Sequence, residues 1–504
     1  MTLSDALETK YAQALESHAR PPNWRNPRFD GTYDLIVAGA GPGGLAAARE
    51  AAMLGAKVAL LERSLLGGDR LNVGCVPSKA LIRTARCYAE IRDAEDYGGQ
   101  EPHELHFQFS AAIARVHRIQ ARLSQADSAQ RLRDAGIDLY FGDAKFSGPD
   151  CLEVAGQVLQ FRKALIATGA RAMIPPIPGL AESGFTTNET VFRWKECPAR
   201  LLVIGGGPLG CEAAQAFARF GARVVIAQND PMFLPKEERD AAQLLSDTLA
   251  NEGIDIRLNT TVTAVRTEGS VKIVELACDG DRSMVAVDEI LVGVGRAPNV
   301  EDLDLESAGV IYDPAAGIQV DDFLRTSNPR VYAAGDVCLE TKFTHAAIAS
   351  AQICVSNALL RGRRRLSALT IPWCTYTDPE IAHVGLYVRE ALQKNIPVRT
   401  FTVLMQDVDR AVTDGEDIGF VKIHIQEGSD RILGATVVAR HAGEMINGIS
   451  LAITANIGLI ELSRVIHTYP TQAEAIKMAA EAFRRSRLTP WRRSLVSRWL
   501  RRLE

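Results

Sequence analysis

The chain has 504 residues, of which 47% are hydrophobic and 23% are charged, with a formal net charge of −4 at pH 7. This length is too great for a single hydrophobic core, and we expect about two to four domains. The near balance of acidic and basic residues gives no reason to expect nucleic acid as the main partner. The nine cysteines show no close Cys-x-x-Cys pair and no zinc spacing, so no metal site is expected.

Neither a signal peptide nor a membrane span is expected. Residues 1–20 mix both charges without an apolar block, and the most apolar long stretch, 443–462, is interrupted by polar and charged side chains. Scattered cysteines in a long chain are typical of reduced thiols. We therefore expect a cytoplasmic protein.

An internal repeat organises the first half of the chain. Residues 33–45 and 201–212 each read as a short apolar strand followed by a Gly-x-Gly-x-x-Gly turn. Each turn opens an alanine-rich helix that ends at a glycine, Gly55 or Gly221, and a second apolar strand follows. This βαβ context, present twice, predicts two dinucleotide-binding folds.

The three glycines of each turn have separate tasks. The first permits the tight turn, the second admits a pyrophosphate and the third lets the helix approach the strand. They are Gly39, Gly41 and Gly44 in the first copy, and Gly205, Gly207 and Gly210 in the second. A phosphate at such a turn faces a helix N-terminus, where free N–H groups and the helix dipole favour negative charge. The alternative is that the glycines serve only helix–strand packing.

The residue at the end of each second strand distinguishes the two sites. Glu62 follows Gly39 at a spacing where a carboxylate can accept hydrogen bonds from ribose hydroxyls. The same spacing from Gly205 leads to Gln228, an amide. The first site is therefore expected to bind an unphosphorylated ribose, whereas the second leaves the form of the ribose open.

Later segments predict further strands. Residues 163–169, 289–295 and 331–335 are apolar runs that end in glycine turns, and the last places Asp336 at a strand end, where ligands of open α/β sheets bind. From about residue 366, alternating patterns such as 419–425 indicate antiparallel strands, with helices near 443–459 and 470–487. We expect a separate α+β domain there.

The segment from Gly67 to Lys79 reads GGDRLNVGCVPSK. Together with the two glycine turns and residues 467–474, it resembles the pyridine nucleotide–disulfide oxidoreductases over about residues 31–487, most closely their mercuric-reductase-like branch. In that family, which includes dihydrolipoamide dehydrogenase and glutathione reductase, this segment carries two redox-active cysteines beside the flavin. Here only Cys75 is present, and Arg70 occupies the first position.

The resemblance implies an α/β fold with two Rossmann-like nucleotide-binding domains, one for FAD and one for NAD(P), and a C-terminal α+β dimerisation domain. The implied assembly is a homodimer, and the implied cofactors are FAD and either NADH or NADPH. The expected boundaries are an N-terminal extension at 1–30, a discontinuous FAD-binding domain at 31–188 and 297–366, an NAD(P)-binding domain at 189–296, a dimerisation domain at 367–487 and a basic amphipathic tail at 488–504.

The resemblance also implies three groups of site residues, carried over position by position. FAD would contact Gly39, Gly41, Gly44, Glu62, Lys79, Ala144, Thr168, Gly169 and Asp336. The nicotinamide dinucleotide would contact or lie beside Gly205, Gly207, Gly210, Gln228, Gly295 and Arg296. The catalytic residues would be Cys75, Tyr469, Glu474 and an ion pair of Lys79 with Glu212, whose lysine brings positive charge to the flavin. Arg70 joins this group for its location alone, since it departs from the family pattern.

Cys75 is expected at a helix N-terminus, because Pro77 suits a first helical turn. The helix dipole there favours a thiolate, and Arg70 would add to this effect if the two side chains approach. In the family, the retained cysteine is the one next to the flavin, while the missing one attacks the substrate disulfide. An inert Cys75 is the alternative.

Residues 467–474 resemble the family's His-Pro-Thr-x-x-Glu, whose histidine is a general acid–base at the dimer interface. Aligned on Pro470, Tyr469 takes the position of that histidine and Glu474 is kept. A tyrosine there is similar to the mercuric reductases. Because a phenol with an ordinary pKa of about 10 is a poor base at neutral pH, a different proton chemistry is expected. His467 is interpreted as a structural histidine.

These departures predict an FAD-dependent NAD(P)H oxidoreductase that passes electrons to an acceptor other than a disulfide: a quinone, a metal ion, a small electrophile or O2. Arg70 could bind an anionic acceptor. Two-thiolate capture of mercury is not expected, because no cysteine follows Cys374 and a soft ion prefers thiolates. The alternatives are a mercuric-reductase-like enzyme, a single-cysteine peroxide or thiol reductase that uses Cys75, and a flavin-binding sensor or adaptor with little turnover.

Eight arginines lie between residues 484 and 502. In a helix that starts at Pro490, the residues Trp491, Leu495, Trp499 and Leu503 would share one face. Such a composition is typical of an interfacial helix on anionic lipid, here at the inner membrane face, or of a helix that docks onto a partner protein. A helix folded back onto its own dimer is the alternative.

Overall fold

The computed structural model describes residues 3–99, 108–488 and 490–501. Two compact units divide the chain: the first comprises Met1–Pro231 and Glu252–Leu369, and the second comprises Met232–Asn251 and Thr370–Glu504. Within the described ranges, no helix is long and apolar enough to cross a membrane.

The first unit begins with the elements of the first repeat. They are α1 (Leu3–Ala19), β1 (Thr32–Ala38), α2 (Pro42–Met53), β2 (Val58–Glu62), α3 (Gly68–Asn72), α4 (Cys75–Arg92), α5 (Phe109–Ser124), α6 (Ala129–Asp134), β3 (Ile137–Phe141), β4 (Ala144–Gly148), β5 (Cys151–Val154), β6 (Gln157–Ile166), β7 (Ala170–Ala172) and α7 (Leu180–Ser183). Strands β1 to β6 form a sheet of order β3-β2-β1-β6-β5-β4. Its β3, β2, β1 and β6 run parallel, and β4 and β5 are antiparallel.

The second repeat and its connections follow along the chain. They are β8 (Arg200–Ile204), α8 (Pro208–Arg219), β9 (Arg223–Ala227), α9 (Arg239–Asn251), β10 (Asp255–Arg257), β11 (Thr260–Glu268), β12 (Val271–Cys278), β13 (Asp281–Val287), β14 (Glu289–Val292), β15 (Arg296–Pro298), β16 (Tyr312–Asp313), β17 (Gly317–Ile318), β18 (Val331–Ala333) and α10 (Thr344–Leu359). A parallel sheet of order β10-β9-β8-β14 carries the second glycine turn, and β18 adds to the first sheet beside β6.

The second unit is an antiparallel sheet with helices. Besides α9, it contains β19 (Trp373–Thr375), β20 (Glu380–Gly385), α11 (Val388–Gln393), β21 (Val398–Leu404), α12 (Asp409–Thr413), β22 (Phe420–Gln426), β23 (Ile432–Ala439), α13 (Ala442–Thr454), α14 (Leu459–Leu462), α15 (Glu474–Ser486) and α16 (Pro490–Leu500). The sheet order is β19-β20-β23-β22-β21. Its core joins strand residues such as Ile423 and Val437 to helix residues such as Ile449 and Ala479.

The fold class predicted from the sequence is confirmed. Both repeats form parallel βαβ units, and both helices end just before a glycine with positive φ, Gly55 and Gly221. The antiparallel region also forms as predicted, although the last predicted helix begins at Glu474 rather than near 470. Of the predicted tail, 488–504, residues 488 and 490–501 are described and contain α16, whereas residues 489 and 502–504 lie outside the described residues.

Candidate functional site

The two glycine turns have nearly the same backbone geometry. Gly39 has a φ of 103° and Gly205 a φ of 104°, in the region that favours glycine. A Cβ built on either residue would lie 2.5 Å from a backbone oxygen, of Ala167 or Gly293. The first glycine of each turn is therefore required by both conformation and space.

The third glycine of each turn allows the helix to approach the strand. A Cβ on Gly44 would lie 1.8 Å from the oxygen of Gly39, and a Cβ on Gly210 would lie 2.0 Å from that of Gly205. Between them, Gly41 and Gly207 cap helices α2 and α8 without a side-chain hydrogen bond. Neither helix N-terminus therefore carries a side-chain cap, which fits a dinucleotide phosphate at this place.

The residues at the ends of β2 and β9 accept equivalent hydrogen bonds from the glycine turns, one through a carboxylate and the other through an amide. Glu62 Oε2 accepts a bond of 2.8 Å from the N–H of Ala40. Gln228 Oε1 accepts the corresponding bond of 2.7 Å from the N–H of Gly206. The second oxygen of Glu62 accepts from the N–H of Ser64 at 2.7 Å. Burial raises the pKa of Glu62, while these two N–H groups oppose that rise.

Glycine turns and loops at the same end of the first sheet carry the other residues expected at FAD. Thr168 and Asn299 exchange hydrogen bonds, Thr168 Oγ1 to the oxygen of Asn299 at 2.8 Å and Asn299 Nδ2 to the oxygen of Thr168 at 2.9 Å. Gly169 beside them has a φ of 72°. Ala144 begins β4, shortly after Gly142, whose N–H donates to the oxygen of Glu62.

Arg296 lies between two carboxylates. Its guanidinium donates to Asp69 in the redox segment, and its Nε lies 3.5 Å from Asp336 Oδ2. Burial raises the pKa of Asp336, and the charges of Arg296 and Lys342 oppose that rise. Gly295, just before Arg296, has a φ of 132°. The arginine expected at the nicotinamide nucleotide thus contacts a residue expected at FAD.

Arg70 is bound to a buried carboxylate. Its guanidinium pairs with Asp127, a residue only 4% exposed. Asp127 also pairs with Arg49, whose Nη2 lies 2.9 Å from Asp127 Oδ1. The short helix α3 carries Arg70, and Gln120 of α5 donates to the backbone oxygens of Leu71 and Asn72 in and at the end of α3. The charge of Arg70 is therefore compensated within the first unit.

Cys75 is the first residue of α4, as expected from Pro77. Its thiol is exposed, and its Sγ lies 3.4 Å from Thr344 Oγ1 at the start of α10. All nine cysteines, every one of which falls in the described ranges, are free thiols. The residues that the structure describes contain no group of three or more His, Cys, Asp or Glu side chains arranged to hold a metal ion.

Lys79 and Glu212 form the ion pair that the resemblance implies. Lys79 Nζ donates to Glu212 Oε2 at 2.8 Å, and Glu212 is buried while the lysine side chain is 34% exposed. The pair joins α4, which carries Cys75, to α8, which follows the second glycine turn. It therefore links the redox segment to the second nucleotide fold.

Tyr469 and Glu474 lie in the second unit. Tyr469 OH donates to Asp409 Oδ2 at 2.7 Å, and this bond together with the charge of Asp409 raises the pKa of the phenol. Tyr469 is therefore a proton donor rather than a base at neutral pH. Glu474 opens α15, and His467 makes only a long contact, 3.4 Å, with the oxygen of Val465.

The structure gathers most of the predicted site residues of the first unit into one connected group. Gly67 N–H donates to the oxygen of Ala40, so the redox segment starts against the first glycine turn. Sequence reasoning missed several side chains that hold this group together: Asp69, Asp127, Asn299 and Thr344. It also missed Asp409, which binds Tyr469 within the second unit. Only Asp69 had a local signal, since it lies inside the redox segment.

Comparisons with known proteins decide the family. A model of the pyridine nucleotide-disulphide oxidoreductases matches residues 33–352, and a model of that family's dimerisation domain matches residues 371–480. The chain belongs to this family. The mercuric reductase of Streptomyces lividans is 34% identical to it over 90% of this chain and 96% of that enzyme. The dihydrolipoyl dehydrogenase of Thermus scotoductus is 36% identical over 90% of this chain and 97% of that one.

Solved structures agree with this assignment. The HOCl-induced flavoprotein disulfide reductase RclA of Escherichia coli matches with a TM-score of 0.80 at 28% identity, over 89% of this chain and 99% of RclA. Members of this pyridine nucleotide-disulphide oxidoreductase family use FAD and NAD(P)H. The chain is therefore an FAD-containing, NAD(P)H-dependent oxidoreductase with a family dimerisation domain.

Proposed function

We propose that this oxidoreductase passes electrons from NADH or NADPH to an acceptor other than a disulfide, such as a quinone, a metal ion, a small electrophile or O2. One observation carries the proposal. The position of the first redox cysteine holds Arg70, which is paired with Asp127, and all nine cysteines, including Cys75, are free thiols. A thiol–disulfide exchange cycle needs two thiols at this place.

The geometry of the first unit supports the proposed cofactor sites. The turn at Gly39, Gly41 and Gly44, with Glu62 at the ribose and Asp336 and Lys79 at the ring system, would hold FAD. FAD, when bound, accepts a hydride from the nicotinamide and delivers two electrons to the acceptor. The turn at Gly205 and Gly207, with Gln228, would hold NADH or NADPH. The domain boundaries proposed from the resemblance place these turns in separate domains.

On the proposed acceptor side, Cys75 is an exposed thiol that contacts Thr344 at the start of α10, and Tyr469 is a neutral hydrogen-bond donor. Lys79, whose side chain is 34% exposed and pairs with the buried Glu212, would favour negative charge on the cofactor. In the proposed homodimer, Tyr469 and Glu474 would complete the site of the partner subunit. Arg70, compensated by Asp127, is less suited to bind an anionic acceptor than its sequence position suggests.

Anaerobic stopped-flow reduction by NADH and by NADPH, followed by a panel of acceptors, tests the proposal. The panel contains a benzoquinone, O2, cupric and mercuric ions, lipoamide and oxidised glutathione. We expect turnover with a non-disulfide acceptor that survives Cys75→Ser, and negligible turnover of both disulfides. Rapid reduction of lipoamide or glutathione disulfide by the wild-type protein would contradict the proposal. If neither NADH nor NADPH reduces the flavin, a sensor or adaptor is favoured instead.

A second candidate is the reduction of a thiophilic metal ion. The relatives include mercuric reductases, and RclA has been solved as a copper(II) complex. A soft ion would bind the exposed Cys75 thiolate. In that case Cys75→Ser should abolish turnover of the metal ion, while Cys87→Ser on the same helix should not. If Cys75→Ser loses the reduction of hydrogen peroxide but no other turnover, the protein would instead be a single-cysteine peroxide reductase.

We also propose that α16 contacts an anionic lipid surface. Trp491 and Trp499 are exposed, and Arg498 and Arg501 accompany them. Val496 and Leu500 are exposed as well and lie on another side of the helix, so the apolar residues do not form one stripe. Sedimentation with phosphatidylglycerol liposomes should recover the full chain more than a Trp491→Ser/Trp499→Ser variant; equal recovery would exclude the contact.

A further inference from the structure

The N-terminal segment, residues 10–30, lies outside the family models, which begin at residue 33. It is nevertheless bound closely to the first glycine-turn fold. Its residue Ala19 is 1% exposed, and Leu66 N–H donates to the oxygen of Ala19 at 3.1 Å. The residues that follow Glu62 are thus connected to a part of the chain that precedes the match to the family model.

The side chain of Arg20 is hydrogen-bonded to the loop that follows β2. Its Nη1 donates to the backbone oxygen of Arg63 at 2.5 Å and to that of Ser64 at 3.3 Å. The guanidinium also lies over the ring of Phe141, 5.4 Å from its centroid. A charged donor on two consecutive carbonyls fixes the orientation of the peptide units between them.

The peptide unit that Arg20 holds is the one that orients Glu62. The N–H of Ser64 donates to Glu62 Oε1 at 2.7 Å, and this leaves Oε2 for the N–H of Ala40 at 2.8 Å. Movement of the peptide between Arg63 and Ser64 would therefore rotate the carboxylate out of its position at the glycine turn.

The N-terminal segment also holds the strand on the other side of Glu62. Asn26 pairs with Phe141 as a neighbouring strand would: its Nδ2 donates to the oxygen of Phe141 and its Oδ1 accepts from the N–H of Phe141, both at 2.9 Å. Trp24 Nε1 donates to the oxygen of Leu139 at 3.2 Å. Phe141 is the register partner of Glu62 in the parallel pair of β3 and β2.

We infer that Arg20 and Asn26 are positioning residues for Glu62, so that the N-terminal segment sets the affinity for the adenosine half of FAD. The inference rests on the proposed FAD site, in which Glu62 accepts hydrogen bonds from the ribose. The N-terminal segment would act on FAD affinity through the carboxylate of Glu62. General stabilisation of the edge strand β3 would not depend on that carboxylate.

A double-mutant cycle on the holoprotein tests this coupling. The dissociation constant of FAD is measured from the fluorescence of flavin released on dilution, for the wild type, Arg20→Ala, Glu62→Ala and the double variant. Two charge-assisted hydrogen bonds are lost in Arg20→Ala, and we expect FAD to bind about tenfold more weakly. In the Glu62→Ala background the same substitution should change FAD affinity by less than about twofold.

Three further variants make the result specific. Arg20→Lys keeps a cationic donor and should retain most of the FAD affinity of the wild type. Asn26→Ala should weaken FAD binding in the same Glu62-dependent way. Arg25 is an exposed residue of the same segment, and Arg25→Ala should bind FAD like the wild type. Equal loss on Arg20→Ala with and without Glu62 would overturn the inference. A wild-type protein that does not retain FAD would instead contradict the proposed function.

Discussion

At the scale of single residues, the two proposed nucleotide sites differ in the functional group at the end of the second strand. Gln228 accepts from Gly206 N–H where Glu62 accepts from Ala40 N–H. An amide at this place carries no negative charge toward a ribose 2′ substituent. The site therefore lacks the carboxylate that usually repels the 2′-phosphate of NADPH.

Replacing Gln228 with Glu should make the protein selective for NADH. The new carboxylate keeps the bond to Gly206 N–H and places a negative charge beside the 2′-phosphate, so we expect kcat/KM for NADPH to fall about tenfold or more relative to NADH. Steady-state kinetics with both nucleotides measure the ratio. Glu62→Gln is the matched control, since it alters the other site and should leave the ratio unchanged. An unchanged ratio in Gln228→Glu would place the ribose elsewhere.

Residues inside motifs were predictable, whereas most of their partners were not; the pair of Lys79 with Glu212 was expected only through the family resemblance. The glycines, Glu62 and Cys75 occur at fixed spacings from turns and helix starts, so local rules located them. Asp127 binds Arg70 from 57 positions away, and Tyr469 binds Asp409 from 60 positions away. Such pairs depend on how distant loops meet, which no local period encodes.

At the scale of elements, α3 is held at both of its charged positions. Asp69 pairs with Arg296 and Arg70 with Asp127, so ion pairs tie the helix to two other parts of the first unit. In the family this helix carries the first cysteine of the redox pair. Here electrostatic contacts hold the same helix in place of a covalent bond to α4.

Asp127→Asn should loosen this arrangement. The carboxylate is buried and serves two guanidinium groups that are about one third exposed, so its neutralisation should lower the free energy of unfolding by about 2 kcal/mol. Urea unfolding measures the change. Asp134→Asn, which alters an exposed acid on α6, should have no comparable effect. A shift no larger than that of Asp134→Asn would show that the pairs contribute little.

The sheet of the second unit contains a buried histidine whose charge state depends on pH. His383 is fully buried on β20, where its Nδ1 meets Thr436 Oγ1 at 2.8 Å and its ring stacks on Tyr387. Burial lowers the pKa of His383 to about 3, with His424 and Arg389 acting in the same direction and Glu238 and the bond to Gly385 opposing.

Acid should therefore destabilise the folded protein well before His383 itself becomes protonated in the folded state. The unfolded chain protonates this histidine near pH 6.5, whereas the folded chain does not until about pH 3. Its contribution is thus complete above pH 6.5 and is lost as the pH falls, by about 2 kcal/mol at pH 5. Urea unfolding followed by tryptophan fluorescence at pH 7 and pH 5 should show a smaller difference for His383→Gln. Equal differences would assign the acid sensitivity to other groups.

The division into elements was predictable from local patterns, while the domain boundaries stay a prediction. Apolar alternation predicted the antiparallel sheet, and the glycine turns predicted the βαβ units. The predicted NAD(P) domain, 189–296, contains α9, which the structure groups with the second unit. Glu237, just before α9, is 3% exposed and accepts from Tyr387 OH at 2.6 Å and from Trp373 Nε1 at 3.0 Å. These partners lie more than a hundred residues further along the chain, beyond the reach of a local pattern.

At the scale of the whole molecule, the chain keeps the family's architecture and lacks one of its reacting atoms. The repeated turns, the ion pair of Lys79 with Glu212 and the dimerisation domain are all present. The missing sulfur changes how many electrons the protein stores. A flavin with a redox-active disulfide holds two pairs of electrons, whereas a flavin beside a lone thiol holds one.

Arg70→Cys should restore the second pair. Helix α3 carries the first-cysteine position of the segment and Cys75 is exposed. Oxidation of the variant by O2 should therefore form a disulfide between the new thiol and Cys75, with two protons and two electrons passing to O2 to give hydrogen peroxide. Anaerobic titration should then consume about two equivalents of NADH per subunit, against about one for the wild type. Arg70→Cys combined with Cys75→Ser is the control and should again consume about one. If Arg70→Cys also takes up a single equivalent and shows no loss of free thiol on oxidation, the segment does not bring the two positions within bonding distance, and the absence of disulfide chemistry would have to be explained by more than one substituted residue.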